Sequence, residues 1–154
     1  MSNNRLSPTS DEDDLNVPVR KPHRPLQLLI ADDDDGFRET LRNLFEDGFE
    51  THEVGSGEEA IELAETLPVD LALVDMHMRR LTGLETVRIL KRVHVATPCI
   101  LITSDVNEQL RRDALAANAH EILAKPIRRR ELLKSVTVAL AERHVEIPDW
   151  LRNS

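Results

Sequence analysis

The strongest constraint on the fold is an alternation of two patterns between Leu26 and about Arg143. Short apolar runs alternate with stretches of helical periodicity. The runs cover residues 26–31, 49–54, 69–74, 99–103 and 121–124. Runs of this length between helices are typical of strands that a parallel sheet buries on both faces. Five such β/α units predict an open, doubly wound α/β fold.

The stretches between the runs carry helix faces and helix starts. Apolar residues recur at i, i+4, i+7 and i+8 after the first run and with the same period after the last. The first set is Phe37, Leu41, Leu44 and Phe45, and the second is Leu132, Val136 and Leu140. A hydroxyl or carboxyl residue followed three positions later by glutamate predicts a capped helix start. Such pairs are Ser56 with Glu59, Thr82 with Glu85 and, less regularly, Asp105 with Glu108.

Composition excludes several classes of protein. The 154 residues carry a formal charge of −8, which argues against a general surface for nucleic-acid phosphates. A single cysteine, Cys99, excludes an internal disulfide, and its place in an apolar run suits a reducing compartment. Neither a signal peptide nor a run of membrane-spanning length is evident. We therefore expect a cytoplasmic protein without direct contact to nucleic acid or membrane.

Three segments follow from these patterns. Residues 1–24 are polar and interrupted by proline, so we expect a disordered N-terminal tail. Residues 25–143 hold the alternating pattern and form the predicted domain. Residues 144–154 are expected to be a short C-terminal extension, and we expect no output domain. Trp150 and Leu151 in this extension could dock on the domain or on a partner.

Polar side chains follow four of the five apolar runs. Asp32 and Asp33 follow the first, Asp75 the third, Thr103 ends the fourth and Lys125 follows the fifth. In open parallel sheets, ligands bind beyond the carboxyl ends of the strands. Three carboxylates, a hydroxyl and an ammonium are therefore expected to meet at one edge. Carboxylates this close resist ionisation unless a positive charge lies among them, and a hard divalent cation is the natural candidate.

The aspartate run continues through Asp34 and Asp35, which need a separate explanation. Both stand just before a predicted helix, where carboxylates suit the helix dipole. A calcium-binding EF-hand loop in this register requires an acid at 31 and a glutamate at 42. The chain has Ala31 and Arg42 instead, so we reject that alternative.

These motifs resemble the response regulator receiver family of two-component signalling. The family has an acidic pair after strand one, an aspartate after strand three, threonine or serine after strand four and Lys-Pro after strand five. The resemblance covers residues 26–142 and includes the stretch from Asp75 to Met78 with the pair Thr82-Gly83. It implies a flavodoxin-like (βα)5 fold whose five parallel strands are ordered 2-1-3-4-5.

The resemblance also implies a metal site and its ligands. Mg²⁺ is the expected cofactor. Asp33 and Asp75 would bind it directly, the backbone carbonyl of His77 would be a third ligand, and Asp32 would act mainly through bound water. The side chain of His77 is expected to lie at the rim of the site, where it could limit access of water.

By the same resemblance, Asp75 is the expected phosphoacceptor. Lys125 would pair with Asp75 at rest and with a phosphoryl oxygen afterwards. Thr103 would contact another phosphoryl oxygen and move toward the site when phosphate is present. The bond between Lys125 and Pro126 is expected to be cis, as is usual in the family.

The implied function is signal transduction in a phosphorelay rather than catalysis on a separate substrate. The donor would be a sensor histidine kinase or a phosphotransfer protein, and the signal would pass by contact to a downstream protein that the sequence does not name. Homodimerisation through the family's helix 4–strand 5–helix 5 face is one alternative. The triple arginine 128–130 lies on this face, either as a docking patch or as a solvated helix start.

Three departures from the family pattern keep a second function open. Arg79 replaces the usual proline, Asn118 a frequent glycine and Ile122 the usual aromatic residue of strand five. Since that ring changes rotamer with the hydroxyl movement, a phosphorylation-independent interaction module of receiver fold is an alternative. A third hypothesis is a magnesium-dependent phosphohydrolase that uses Asp32 and Asp34 as nucleophile and acid.

Overall fold

The computed structural model describes residues 25–154, so the predicted tail 1–24 lies outside the described part. Five parallel strands form one sheet in the order β2-β1-β3-β4-β5, which confirms the predicted fold. They are β1 (Leu26–Ala31), β2 (Phe49–Val54), β3 (Leu71–Asp75), β4 (Cys99–Thr103) and β5 (Glu121–Ala124). Four strands coincide with the predicted runs. The third begins two residues later than its run and ends on Asp75.

Six helices are described around the sheet. They are α1 (Asp35–Leu44), α2 (Gly57–Thr66), α3 (Gly83–Val93), α4 (Glu108–Ala116), α5 (Arg129–Glu142) and α6 (Asp149–Arg152). The caps at Ser56 and Thr82 are confirmed, and Thr82 forms a complete capping box with Glu85. The predicted cap at Asp105 is wrong. The amide oxygen of Asn107 accepts from the N–H of Leu110 instead, so the helix cap lies two residues later than the sequence pattern predicts.

The core consists of two layers, one on each face of the sheet. Successive strand residues point to opposite faces, so Leu28 packs with α1 and α5, whereas Leu29 packs with α2, α3 and α4. Strands β1, β3 and β4 are fully buried, as expected for the centre of a parallel sheet. Full burial of such a side chain contributes about 1.5–3 kcal/mol. The two layers thus hold the strand ends, and the groups attached to them, in a rigid frame.

The residues after α5 pack back on the face that holds α1. Leu151 is buried in the same cluster as Phe45, and the indole N–H of Trp150 donates to the Asp47 carbonyl at 2.7 Å. At Gly48, with φ +90°, a Cβ would lie 2.4 Å from the Pro148 ring, so only glycine allows this approach. Of the two expected alternatives for Trp150 and Leu151, the structure shows docking on the domain. The boundary at residue 143 stays a prediction.

Within residues 25–154, none of the helices has both the length and the apolar character needed to cross a membrane.

Candidate functional site

The register of the sheet brings the polar strand ends to one edge. Asp75 at the end of β3 pairs with Ile102, and Thr103 at the end of β4 pairs with Ala124. Asp32 directly follows β1, whose last residue pairs with Val74. The backbone N–H of Lys125 donates to the Thr103 carbonyl at 2.8 Å, which continues the sheet bonding past β5. The four side chains are therefore presented from one edge by rigid neighbours.

Lys125 links two buried carboxylates. Its Nζ lies 2.9 Å from Oδ1 of Asp75 and 3.0 Å from Oδ2 of Asp32. The same Nζ stands 4.3 Å from the centre of the Phe37 ring, which adds a cation–π contact. Removing one partner of a buried ion pair leaves an uncompensated charge, so these three groups form an interdependent unit.

Burial and the hydrogen bonds between Lys125 and the carboxylates act in opposite directions on the pKa values of Asp75 and Lys125. Burial raises the pKa of the Asp75 carboxyl, and the neighbouring Asp32 carboxylate raises it further, although the hydrogen bond from Lys125 opposes both effects. For Lys125, burial lowers the pKa, but the hydrogen bonds and charges of Asp75 and Asp32 outweigh burial and the net direction is upward. Lys125 therefore carries its positive charge at neutral pH.

Three carboxylates of this edge could hold a metal ion. Asp32, Asp33 and Asp75 each offer an oxygen, and these oxygens lie within 4.8 Å of one another. Asp32 and Asp75 are buried, whereas Asp33 is exposed. Oδ1 of Asp32 accepts from the Asp34 N–H at 2.9 Å, which fixes its orientation. A cluster of hard oxygen donors with one side open to water fits Mg²⁺, which keeps several waters when bound.

Thr103 is buried and makes two contacts at this edge. Its hydroxyl accepts from the Asp105 N–H at 3.1 Å and lies 3.3 Å from Nε2 of His77. The His77 N–H in turn donates to Oδ2 of Asp75 at 3.1 Å. The sequence predicted His77 at the rim but missed its side-chain contact with Thr103. No sequence signal could reveal it, since the two residues are 26 positions apart and meet through a loop.

Gly83 allows the first turn of α3 to approach Asp75. A Cβ at Gly83 would lie 2.2 Å from the Asp75 carbonyl oxygen and 2.7 Å from its carbonyl carbon. The Gly83 N–H also donates to the Met76 carbonyl at 2.9 Å. Gly83 thus positions the backbone next to Asp75, and its place beside Thr82 was the only signal of this role in the sequence.

The remaining acids of the first run do not join the cluster. Asp34 caps α1, with its Oδ1 accepting from the Phe37 N–H at 3.2 Å, and Asp35 is the first residue of that helix. The expected role in helix-start charge is confirmed for both.

One backbone expectation is also confirmed. The bond between Lys125 and Pro126 is cis. Asn118 adopts a positive φ of 63°, a conformation that asparagine tolerates better than most residues.

The two arginines after Met78 lie at the surface. Arg79 is exposed, and Arg80 lies 3.7 Å from Glu58, an exposed ion pair that contributes little to stability.

Comparison with known families identifies the class. The family model of the response regulator receiver domain matches residues 28–137. The chain therefore belongs to the response regulator receiver domain family, the signalling phosphoacceptors of two-component phosphorelays, and the resemblance seen in the sequence is confirmed. Phosphorylation on aspartate and binding of Mg²⁺ are features of this family.

Curated relatives contain this domain as one part of a longer chain. The cyclic di-GMP phosphodiesterase response regulator RpfG of Xanthomonas campestris is 38% identical over 112 residues, which are 70% of this chain and 30% of that protein. The transcriptional regulatory protein CpxR of Escherichia coli is 32% identical over 77% of this chain and 50% of its own length. This chain thus spans between about a third and a half of these relatives, and the activities in their names belong to them.

Solved structures share the fold. A CheY-like receiver domain protein from Methanospirillum hungatei superposes with a TM-score of 0.73 at 24% identity, covering 77% of this chain and 95% of its own. A receiver domain of a Francisella response regulator gives a TM-score of 0.70 at 26% identity, covering 77% of this chain and 98% of its own.

Proposed function

We propose that Asp75 is the phosphoacceptor of this receiver domain. The observation that carries the proposal is the position of Asp75, where a single carboxylate contacts the Lys125 ammonium and belongs to the three-carboxylate cluster. A nucleophile for phosphorus needs neighbours that neutralise the charge of the incoming group. Lys125 is one such neighbour, and a cation held by the carboxylate cluster would be the other.

The reaction proposed is transfer from a phosphohistidine donor. An Oδ of Asp75 forms a bond to phosphorus while the bond from phosphorus to the donor's imidazole nitrogen breaks, and the imidazole leaves with that electron pair. Lys125 then pairs with a phosphoryl oxygen instead of the Asp75 carboxylate. After a shift toward the site, the Thr103 hydroxyl donates a hydrogen bond to another phosphoryl oxygen. Phosphoryl transfer depends mainly on such positioning and charge neutralisation.

Mg²⁺ is the cofactor we propose for the carboxylate cluster. Asp33 and Asp75 would bind it directly, Asp32 through water, and the backbone carbonyl of His77 would be a further ligand. When bound, Mg²⁺ would neutralise charge on the phosphoryl oxygens. The exposed position of Asp33 leaves this side of the cluster open to the donor.

We infer that the donor, a sensor histidine kinase or a phosphotransfer protein, docks beside α1. A mostly apolar groove lies between α1 and the loop after β5, with Phe37, Leu44 and Ile127 among its walls. Lys125 and Pro126 line the same groove, so a protein seated there would be adjacent to Asp75. Apolar pockets with a few polar groups are typical binding surfaces.

The signal is proposed to leave through the α4–β5–α5 face, to a downstream protein or a second copy, within the cytoplasm. Thr103 provides the link, because its hydroxyl is bonded to the loop that leads into α4. Ile122 is partly buried on β5, where the family usually has an aromatic residue. Its branched side chain has no ring to rotate, so we expect the response to be concentrated in the loop before α4.

Beryllofluoride with Mg²⁺, a mimic of the phosphoryl group, tests the proposal. Amide spectra of the full chain should shift at Asp75, Thr103 and the start of α4, and the Asp75→Asn variant should show no shift. Asp34→Asn is the matched control, since it removes a charge from the same aspartate run but keeps a capping oxygen, and it should respond like wild type. A wild-type spectrum unchanged by the mimic would contradict the proposal and favour the phosphorylation-independent interaction module.

A further inference from the structure

A basic groove beside α5 lies outside the carboxylate cluster and shares only Arg129 with the groove proposed for the donor. It runs between α5 and the C-terminal residues. Its walls combine apolar side chains with four cations, namely Leu133, Val138 and Leu151 with Arg129, Arg130, Lys134 and Arg152. Val138 is 42% exposed, so it presents apolar surface in the groove. The groove therefore offers both charge and apolar contact to an occupant.

The positive charge of this groove is poorly compensated within residues 25–154. Arg152 pairs with Asp149 at 2.9 Å, an exposed i,i+3 contact of small energy. Arg129, Arg130 and Lys134 form no ion pair with another described residue, and none of the groove's lining residues is acidic. Arg129 and Arg130 also stand in the first turn of α5, where the helix dipole disfavours cations and no side chain caps the helix. An acidic segment in the groove would compensate these positive charges and their unfavourable position at the start of α5.

The chain itself contains a complementary segment. Residues 11–14 read Asp-Glu-Asp-Asp and are followed by Leu15, so four negative charges precede an apolar side chain. Asp14 is eleven positions before Pro25, and an extended chain of that length spans at most about 36–40 Å. Pro25 lines a depression together with Pro148 and Asp149 at the start of α6, and α6 forms one wall of the groove. The distance from Arg129 to Val138 along α5 is only about 14 Å. The acidic segment can therefore reach the whole groove.

We propose that residues 11–15 bind within the same chain to the groove between α5 and α6. A tethered segment is present at an effective concentration of order millimolar, which favours this occupant over a free acidic peptide. Lys134 and Val138 also line the adjoining depression that contains Ile122 on β5. A bound segment would thus restrict access to the α4–β5–α5 face.

A spin label on the full chain tests the contact. Ser10→Cys provides the attachment point, while Cys99 stays unlabelled because burial raises the pKa of its thiol to about 12. The label should broaden amide signals of α5 and α6, and the broadening should be lost at high salt, which screens exposed charges. Broadening that grows with protein concentration would show binding to a second copy and would overturn the proposal.

Charge variants of the full chain complete the test. Neutralising the segment with Asp11→Asn, Glu12→Gln, Asp13→Asn and Asp14→Asn should abolish the broadening of α5, as should Arg130→Gln with Lys134→Gln in the groove. Arg88→Gln with Arg92→Gln is the matched control, because both are exposed on α3 at the opposite face of the sheet. Three outcomes would overturn the proposal: broadening that survives the groove variant, broadening that is lost in the α3 variant, or no broadening in the labelled Ser10→Cys protein without charge substitutions.

Discussion

Asp75 illustrates how a reactive carboxylate affects the stability of the fold that holds it. Its pKa is raised mainly by burial, so the folded chain retains the proton to higher pH than the unfolded chain does. For such a group, stability is lost as the pH rises from the unfolded value of 3.8 through the folded pKa. Asp75→Asn should therefore stabilise the metal-free protein at pH 7 by about 1 kcal/mol, a typical size for one substitution.

Denaturant unfolding with a chelator present, repeated between pH 3 and pH 7, measures this effect. The gain in the free energy of unfolding from Asp75→Asn should be complete above the folded pKa of Asp75 and absent below pH 3.8. Lys125 keeps Asp32 as a partner in the variant, so no unpaired cation offsets the gain. A variant less stable than wild type at pH 7 would show that the Lys125 contact outweighs burial.

His77 is the residue whose side chain we expect to tune the lifetime of the phosphoryl group. Its imidazole lies 3.3 Å from the Thr103 hydroxyl, at the edge that holds Asp75, where we expect it to limit the approach of water. His77→Asn should raise the rate of aspartyl phosphate loss about threefold, which corresponds to roughly 0.6 kcal/mol in the barrier. The decay of phosphorylated protein after removal of the donor measures this rate.

His120→Asn is the control for this experiment. His120 lies at the other end of β5, 3.7 Å from Glu142, and should leave the decay unchanged. An equal rate in wild type and His77→Asn would remove the proposed role of the imidazole.

At the level of the elements, the start of α3 depends on one glycine. Gly83→Ala places a Cβ within 2.2 Å of the Asp75 carbonyl oxygen, a backbone atom that moves only with β3. We expect a loss of about 1–3 kcal/mol in the free energy of unfolding, the usual cost of overpacking. The amide signals of Asp75 and His77 should shift together with this loss of stability, since the backbone around Asp75 must move to admit the Cβ.

Gly36→Ala serves as the comparison. Its Cβ would approach only the Asp34 side chain, at 3.4 Å, in the first turn of α1. Alanine there should be neutral or stabilise by up to about 1 kcal/mol, because it restricts the unfolded chain and favours helix. If the two variants lose the same stability, close packing at Gly83 is not the cause.

For the whole molecule, one buried side chain ties the residues after α5 to the core. Leu151 is 1% exposed and packs in the cluster of α1 and α5. Leu151→Ala should lower the free energy of unfolding by about 2–5 kcal/mol through lost burial and a cavity. The single tryptophan, Trp150, lies beside Phe45 and gives a fluorescence signal for the transition.

Val138→Ala provides the exposed counterpart. Val138 is 42% exposed on α5, so its truncation should cost about 0.5 kcal/mol or less. A Leu151→Ala variant as stable as Val138→Ala would mean that α6 detaches at no cost and would support a domain that ends at residue 143.

The sequence by itself determined the fold and most of the candidate site. The strands follow from apolar runs, whose composition is local information, and five runs separated by helical stretches leave few alternatives for the sheet. Asp32, Asp33, Asp75, Thr103 and Lys125 were predictable because each stands at the end of such a run, and parallel strands end at the same edge. The helix starts at Ser56 and Thr82 could likewise be predicted from local sequence, because each cap depends on two residues three positions apart.

Only the tertiary structure decided the contacts between distant parts of the chain. The cap of α4 lies at Asn107 rather than at Asp105, whose N–H donates to the hydroxyl of Thr103. The packing of Gly83 against Asp75 and of Leu151 into the core depends on which backbones meet in space. The physical reason is common to all three, since hydrogen bonding and packing depend on distance in space, whereas sequence patterns record only distance along the chain.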